Sequence, residues 1–435
     1  MYLIYSLVLF LLLPLVLIRL YFRSFKNPEY LNRWQERFGF IPKLDSGKDV
    51  IWIHAVSVGE VQASRPLVDY LQQHYPACQI LLTTTTPTGL IMVTRVFAGS
   101  VAHRYFPYDL PFSVARFLRI TRPRVLLILE TEIWPNLYRY CRQLGIPIML
   151  INARLSEKAL AGYRMFPALI RATLGKVTTI ATQSIDNASR FISLGAPEDR
   201  VHVTGNIKFD IKIPHSIREQ GESIRRFFSA SRPVWIAAST HDGEDEIILD
   251  AARIIQASLP DSLLILTPRH PERFVSVRQL CLKQGFTVAC YTDMEAYSAG
   301  TQVFLLDVLG QLPVYYAAAD VAFVGGSLVP VGGHNMLEPA CLGMPLITGR
   351  HLFNFSEISN LLRSANALFE VETAAELSEK VIEFLGDANL RFSTGERART
   401  VVVGNQGSIN KIMKLLEEVI PPENGGRIRS PEPEI

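Results

Sequence analysis

The chain has 435 residues, more than one ordinary hydrophobic core takes up, so two domains are expected. Apolar residues make up 48% and charged residues 20%, which excludes a disordered polymer. A net charge of only +3 argues against a whole-molecule nucleic-acid footprint, so no nucleic-acid partner is expected. Five cysteines (Cys78, Cys141, Cys281, Cys290, Cys341), with no CxxC spacing, fit neither a disulfide framework nor a cysteine-rich zinc site and suit a reducing compartment.

Residues 2–20 hold no charge before Arg19. At about 1.5 Å per residue the run just crosses a bilayer core of ~30 Å, and Pro14 is tolerable in a membrane helix. No basic stretch precedes it and no small-residue cleavage site follows, which disfavours a signal peptide. Arg19, Arg23, Lys26, Arg33 and Arg37 come after it, and by the positive-inside rule they put the bulk of the protein on the cytoplasmic side. Such a cluster also attracts anionic head groups, or forms a solvated collar.

Val50–Val56 reads as the first strand of an α/β domain, and Ser57-Val58-Gly59-Glu60 turns it into a helix. Glu60 then lies in a first helical turn at a strand's carboxyl end, where α/β sheets place their chemistry. An acid there also serves the helix macrodipole, and position alone does not choose. Strands follow at 79–83, 103–108, 124–129, 147–151, 178–181 and 201–204. The run 124–129 ends in Glu130-Thr131-Glu132, and period-two alternation puts both acids on one side if the chain stays extended. Lys208 stands at the last strand's exit, open to a ligand contact or a plain salt bridge.

After a polar stretch the βα pattern restarts with strands at 233–238, 262–267, 303–306, 320–324 and 345–348. Ser239-Thr240-His241-Asp242-Gly243-Glu244 follows the first of these, and Pro268-Arg269-His270 the second. An arginine at such an exit suits a phosphate. The stretch Phe323–Pro339 joins an apolar strand, Gly325-Gly326, Gly332-Gly333, then Asn335 and a helix start at Met336 and Leu337. Glycines admit a close phosphate, and the first helical N–H groups point at it. Glu338 is placed to accept from ribose hydroxyls. A tight loop without a ligand is the plainer alternative.

The expected layout is a membrane anchor at 1–22, a Rossmann-like domain at 23–212, a linker at 213–232, a second Rossmann-like domain at 233–420 and a disordered tail at 421–435. A cleft between two such halves is the expected ligand site. Neither half has GxGxxG after its first strand, GxxxxGK[ST], HExxH or DxD, which argues against NAD, a P-loop and a bound catalytic metal.

The segments IHAVSVGE, TTTTPTG, YDLP, ETEIWPN, NARLS, GNIKFD, STHDGE, PRHPERF and GGSLVPVGGHNMLEP occur in this order. With them the chain resembles the lipid A Kdo transferases, which move 3-deoxy-D-manno-oct-2-ulosonic acid (Kdo) from CMP-Kdo to a lipid A precursor, lipid IVA. The likeness runs from the apolar segment to about residue 410, and the tail after Glu423 is unmatched. It implies an inverting, metal-independent glycosyltransferase of the α/β, GT-B type, with two doubly wound Rossmann-like domains facing a cleft and an N-terminal membrane helix. The enzyme would serve lipopolysaccharide core biosynthesis at the inner membrane, with no cofactor beyond the donor substrate.

The same resemblance implies roles. Glu60 is the general base; Glu130 and Lys208 stabilise the transition state. CMP contacts fall to Pro268 and Arg269, to Gly310, Gln311 and Leu312, and to Asn335, Met336, Leu337 and Glu338, with the leaving phosphate on the glycine loop and helix start. Two rivals stand beside it. A sugar-nucleotide epimerase of the same shape would release a free sugar and need no residues 1–37. A non-catalytic lipid A-binding module would leave Glu60, Glu130 and Lys208 replaceable.

Overall fold

The computed structural model describes residues 1–45 and 47–421, without the side chain of Lys26. The expected disordered tail, Pro421 apart, lies outside the described residues. The chain divides into two compact units, Met1–Asp210 joined by the segment from Gly407 onward, and Ile211–Gln406.

Unit 1 holds seven strands: β1 (Asp49–His54), β2 (Cys78–Thr84), β3 (Ala102–Tyr105), β4 (Pro123–Leu129), β5 (Ile148–Ala153), β6 (Thr179–Thr182) and β7 (Val201–Val203). They form one parallel sheet in the order β3-β2-β1-β4-β5-β6-β7. The central strands are near-continuous apolar runs because helices cover both faces. Val50 and Trp52 enter one core with Leu126, Ile128 and Leu150. Ile51 and Ile53, one residue out of phase, enter the opposite core with Leu127, Met149 and Ile151.

The last helix, Ser408–Val419, belongs to this unit and not to the second domain as expected. Ile409, Ile412, Met413 and Leu416 join the core of Ile51 and Ile53. Tyr75 Oη donates to the Ile420 carbonyl at 2.9 Å. The Asp210 carboxylate accepts from the Gly407 and Ile409 N–H groups at the helix start. The N-cap, Gly407, has no side chain to do so, and the cap comes from far away in sequence.

Helix α1 (Tyr2–Lys26) is long and apolar enough to cross a membrane and contains Pro14. Three polar side chains in its first half join it to the rest of unit 1. Tyr5 Oη donates to Asp109 Oδ2 at 3.0 Å, Ser6 Oγ to Asn136 Oδ1 at 3.2 Å, and Lys176 Nζ to Tyr2 Oη at 2.7 Å. Leu20 and Ser24 are buried further along, at helical spacing. Leu3, Leu7, Leu11, Leu15, Ile18, Phe22 and Phe25 are exposed.

Unit 2 also has seven strands: β8 (Val234–Thr240), β9 (Leu263–Pro268), β10 (Val288–Cys290), β11 (Val303–Leu305), β12 (Val321–Val324), β13 (Leu346–Thr348) and β14 (Leu368–Glu370). All pair parallel, in the order β10-β11-β9-β8-β12-β13-β14. Residues 213–232, expected as a linker, carry the helix His215–Phe227, which is part of this unit. Gly221 lets it lie against Ala317, and Arg225 bonds Asp320 at 2.9 Å.

Replacing Asp210 by alanine is expected to cost about 1 kcal/mol. Amide exchange across Ser408–Val419 should rise before exchange in the central strands does.

Candidate active site

In a doubly wound sheet the ligand crevice opens where strand order reverses, outside the carboxyl ends of the strands. In unit 1 that point lies between β1 and β4. Glu60 stands in the turn after β1. Its N–H donates to Ser57 Oγ at 3.2 Å, and its carboxylate accepts from Val56 N–H at 2.8 Å and Ser57 N–H at 3.3 Å. This capping box explains why an acid stands here, and leaves the carboxyl nearly buried. Burial, then the charge of Glu130, raises its pKa above the ordinary carboxylate value, against the hydrogen bonds from Val56 and Ser57.

Glu130 follows β4 with φ +57°, the left-handed region that a side chain rarely adopts. The chain therefore leaves the strand line, and alternation does not set the directions of Glu130 and Glu132. Its N–H reaches the Ile151 carbonyl at 3.0 Å. Its carboxylate receives Arg154 Nε at 2.8 Å and lies 3.7 Å from Lys208 Nζ. Asn152 at the end of β5 is left-handed too, and its Oδ1 accepts from Ile207 N–H at 3.0 Å. Asn206 Oδ1 accepts from Lys208 N–H at 3.0 Å, so two asparagines hold the turn that delivers Lys208. Burial and the charge of Glu60 lift Glu132 to about 7. The structure thus gathers Glu60, Glu130, Glu132, Arg154 and Lys208 at one sheet end. His54, in the same segment as Glu60, is a core residue: burial lowers it to about 3, and it stacks on Phe106 at 3.8 Å.

Unit 2 reverses between β8 and β12, and the glycine loop follows β12. Its glycine amides are already bonded within the protein. Gly326, Ser327 and Leu328 donate to the carboxylate of Glu244 at 2.7, 2.9 and 2.9 Å, and His241 N–H adds a fourth bond at 2.9 Å. Gly325 N–H bonds the Ala238 carbonyl, and those of Gly332 and Gly333 bond the Gly326 carbonyl. The expected phosphate cradle is filled by a fully buried protein carboxylate. A Cβ at Gly325 would stand 2.8 Å from the Ser239 carbonyl oxygen and 2.9 Å from Glu244 Oε2, which is why the position is bare.

The other expected donor-side residues sit at carboxyl ends of the same sheet. Pro268 closes β9, and Arg269 N–H bonds the Thr240 carbonyl at 3.0 Å. Gly310, at φ +92°, and Gln311 precede the helix that starts at Leu312. Gln311 also lines a pocket of about 370 Å³ with Tyr291, Val314 and Tyr315. Asn335 caps its own turn: Oδ1 accepts from Leu337 N–H at 3.1 Å, and Nδ2 donates to Glu338 Oε1 at 3.1 Å. Burial raises the half-buried Glu338, against that bond. Met336 and Leu337 are buried. Reading by sequence passed over a contact between His241 Nε2 and His334 Nε2 at 2.7 Å, whose partners stand 93 positions apart. Among the described residues no group of three or more His, Cys, Asp or Glu stands ready to hold a metal ion.

Glu244→Gln places an NH2 among N–H donors. Loss of about 2–3 kcal/mol from unit 2 is expected, read by thermal unfolding, with the glycine loop amides exchanging first.

Residues 32–211 match the family model described as 3-Deoxy-D-manno-octulosonic-acid transferase (kdotransferase). The 3-deoxy-D-manno-octulosonic acid transferase of Haemophilus influenzae is 40% identical over 95% of this chain and 97% of its own. That of Bordetella pertussis is 33% identical over 85% and 87%. A UDP-GlcNAc 2-epimerase from Neisseria meningitidis superposes with a TM-score of 0.56 at 18% identity, over 85% of this chain and all of that one. The last likeness concerns the two-Rossmann, GT-B-type fold alone. By the near full-length identity to the first two, this chain belongs to the Kdo transferase family.

Proposed function

We propose that the chain transfers Kdo from CMP-Kdo to a lipid A precursor, lipid IVA, by a single inverting displacement without a metal. The observation that carries this is the acid cluster at the switch point of unit 1, with Glu60 raised by burial and by Glu130. A general base works best when its proton affinity approaches the working pH. Burial moves Glu60 in that direction. Its carboxylate takes the proton of an acceptor hydroxyl as the oxygen attacks the anomeric carbon. The bond to the phosphate breaks on the opposite face, which inverts the centre.

The departing CMP carries the bonding electrons away and leaves positive character at the anomeric carbon. Glu130 favours that charge, and Lys208, 3.7 Å from it, balances the Kdo carboxylate. The pair is pre-set, because Arg154 holds the Glu130 carboxylate and Asn152 and Asn206 hold the backbone that carries Lys208. On unit 2, the guanidinium of Arg269 meets the leaving phosphate, and the turn Asn335–Glu338 receives the ribose. With the glycine amides taken by Glu244, this charge neutralisation falls to side chains. Pro268 and Gly310, Gln311 and Leu312 complete the CMP contacts.

Unit 1 serves the acceptor and unit 2 the donor. The apolar outer face of α1, with Arg19 and Arg23 near its end, holds the catalytic units on the cytoplasmic side of the inner membrane, beside a lipid-borne acceptor.

Glu60→Gln is expected to keep CMP binding and to lower transfer by roughly 10²–10⁴-fold, counted by mass on lipid IVA. Retained turnover would exclude Glu60 as the base. The ionised form is the active one and its pKa is raised, so transfer should climb with pH along an acid limb above the ordinary carboxylate range. A chain starting at Asn27 should bind CMP normally and lose transfer to acceptor in vesicles, while keeping transfer to a deacylated, water-soluble disaccharide. Equal loss on both acceptors would remove α1 from any membrane role.

A further inference from the structure

His241 follows β8 and His334 precedes the Asn335 turn, so they flank the switch point of unit 2. Their Nε2 atoms lie 2.7 Å apart and the rings are nearly coplanar, at 8°. Gly326 makes room for the contact: a Cβ there would stand 2.9 Å from His334 Cδ2. Neither Nδ1 has a protein partner among the described residues, and neither is a buried orphan.

We propose that His241 and His334 act as one anion-binding unit, which takes up a single proton and presents two Nδ1–H donors to the phosphodiester of the donor sugar nucleotide. This rests on the reading that unit 2 binds CMP-Kdo.

Proton counting forces the form of the device. A contact between two Nε2 atoms needs one N–H and one lone pair. In the neutral pair, the ring that donates through Nε2 has a lone pair at Nδ1, and only its partner shows an outward Nδ1–H. One added proton at that lone pair leaves the Nε2 contact intact. The pair then has two outward donors and one positive charge. A second proton would set N–H against N–H, so uptake stops at one.

Burial and nearby cations disfavour the protonated form of both rings. Burial comes first for both rings, and it takes His334 to about 3 together with the charges of His241, Arg269 and His270. His241 is lowered by burial and by His270, Arg273 and Arg269, against Glu244. Two of these neighbours are already engaged. Glu244 is shared among four amides, and Arg273 bonds Asp245 and the Thr240 carbonyl. No acceptor among the described residues bonds the Arg269 guanidinium. An arriving anion offsets the cationic neighbours and favours the protonated pair. Binding and proton uptake are then linked.

Cytidine 5′-methyl phosphate is the probe, because a diester keeps one charge from about pH 6 to pH 8, whereas the CMP phosphate titrates near pH 6. Titration calorimetry of the full chain in detergent, in two buffers of different ionisation enthalpy, counts protons taken up on binding. Uptake approaching one proton is expected at about pH 6, with affinity falling roughly three- to tenfold by pH 8. His334→Gln and His241→Gln should each bind more weakly, with no uptake and a flat pH profile. Those variants separate the pair from Glu338, whose own titration would persist in them. Wild-type binding with no uptake and a flat profile overturns the imidazole pair and leaves the CMP-Kdo reading standing. Failure of the diester to bind at any pH overturns that reading and the pair together.

Discussion

Glu244 is fully buried, and its oxygens accept four backbone N–H groups, three from the loop after β12 and one from His241. A buried carboxylate survives only where such bonds replace its hydration. Much of unit 2 depends on this arrangement. It ties the exits of β8 and β12 together and fixes Gly326 beneath the ring of His334. The protein's own groups thus hold the loop in its folded form.

Unit 1 solves the opposite problem. Three acids crowd its switch point, and only Glu130 has both cations, Arg154 and Lys208, beside it. Burial raises both Glu60 and Glu132; the charge of Glu130 adds to the first and that of Glu60 to the second. One carboxylate has cations at its side while its neighbours become more basic. Two environments, rather than two residue types, set these carboxylates apart.

Much of this architecture was legible because strands covered on both faces read as apolar runs: Val50–Val56 became β1 and 124–129 became β4. The two strands passed over, β10 and β14, are three-residue edge strands, too short to carry a periodic signal. The last helix was assigned to the wrong unit because its cap, Asp210, stands 197 positions earlier than Gly407. The glycines of the β12 loop were legible as a close-approach loop. What fills it was not, since Glu244 lies more than eighty positions upstream. Glu130 shows the same limit on a local scale: the partners of its N–H and carboxylate, Ile151, Arg154 and Lys208, are none of them neighbours in sequence.

Asp109 binds more than the hydroxyl of Tyr5. The same carboxylate accepts from the N–H groups of Asn136 and Leu137, at 2.9 and 2.7 Å, at the start of the helix Pro135–Gln143. That helix begins a few residues after Glu132. The apolar helix is thus bolted to the segment that carries the acids, with no slack linker between them. Any tilt or shift of that helix has a short mechanical route to the carboxylates.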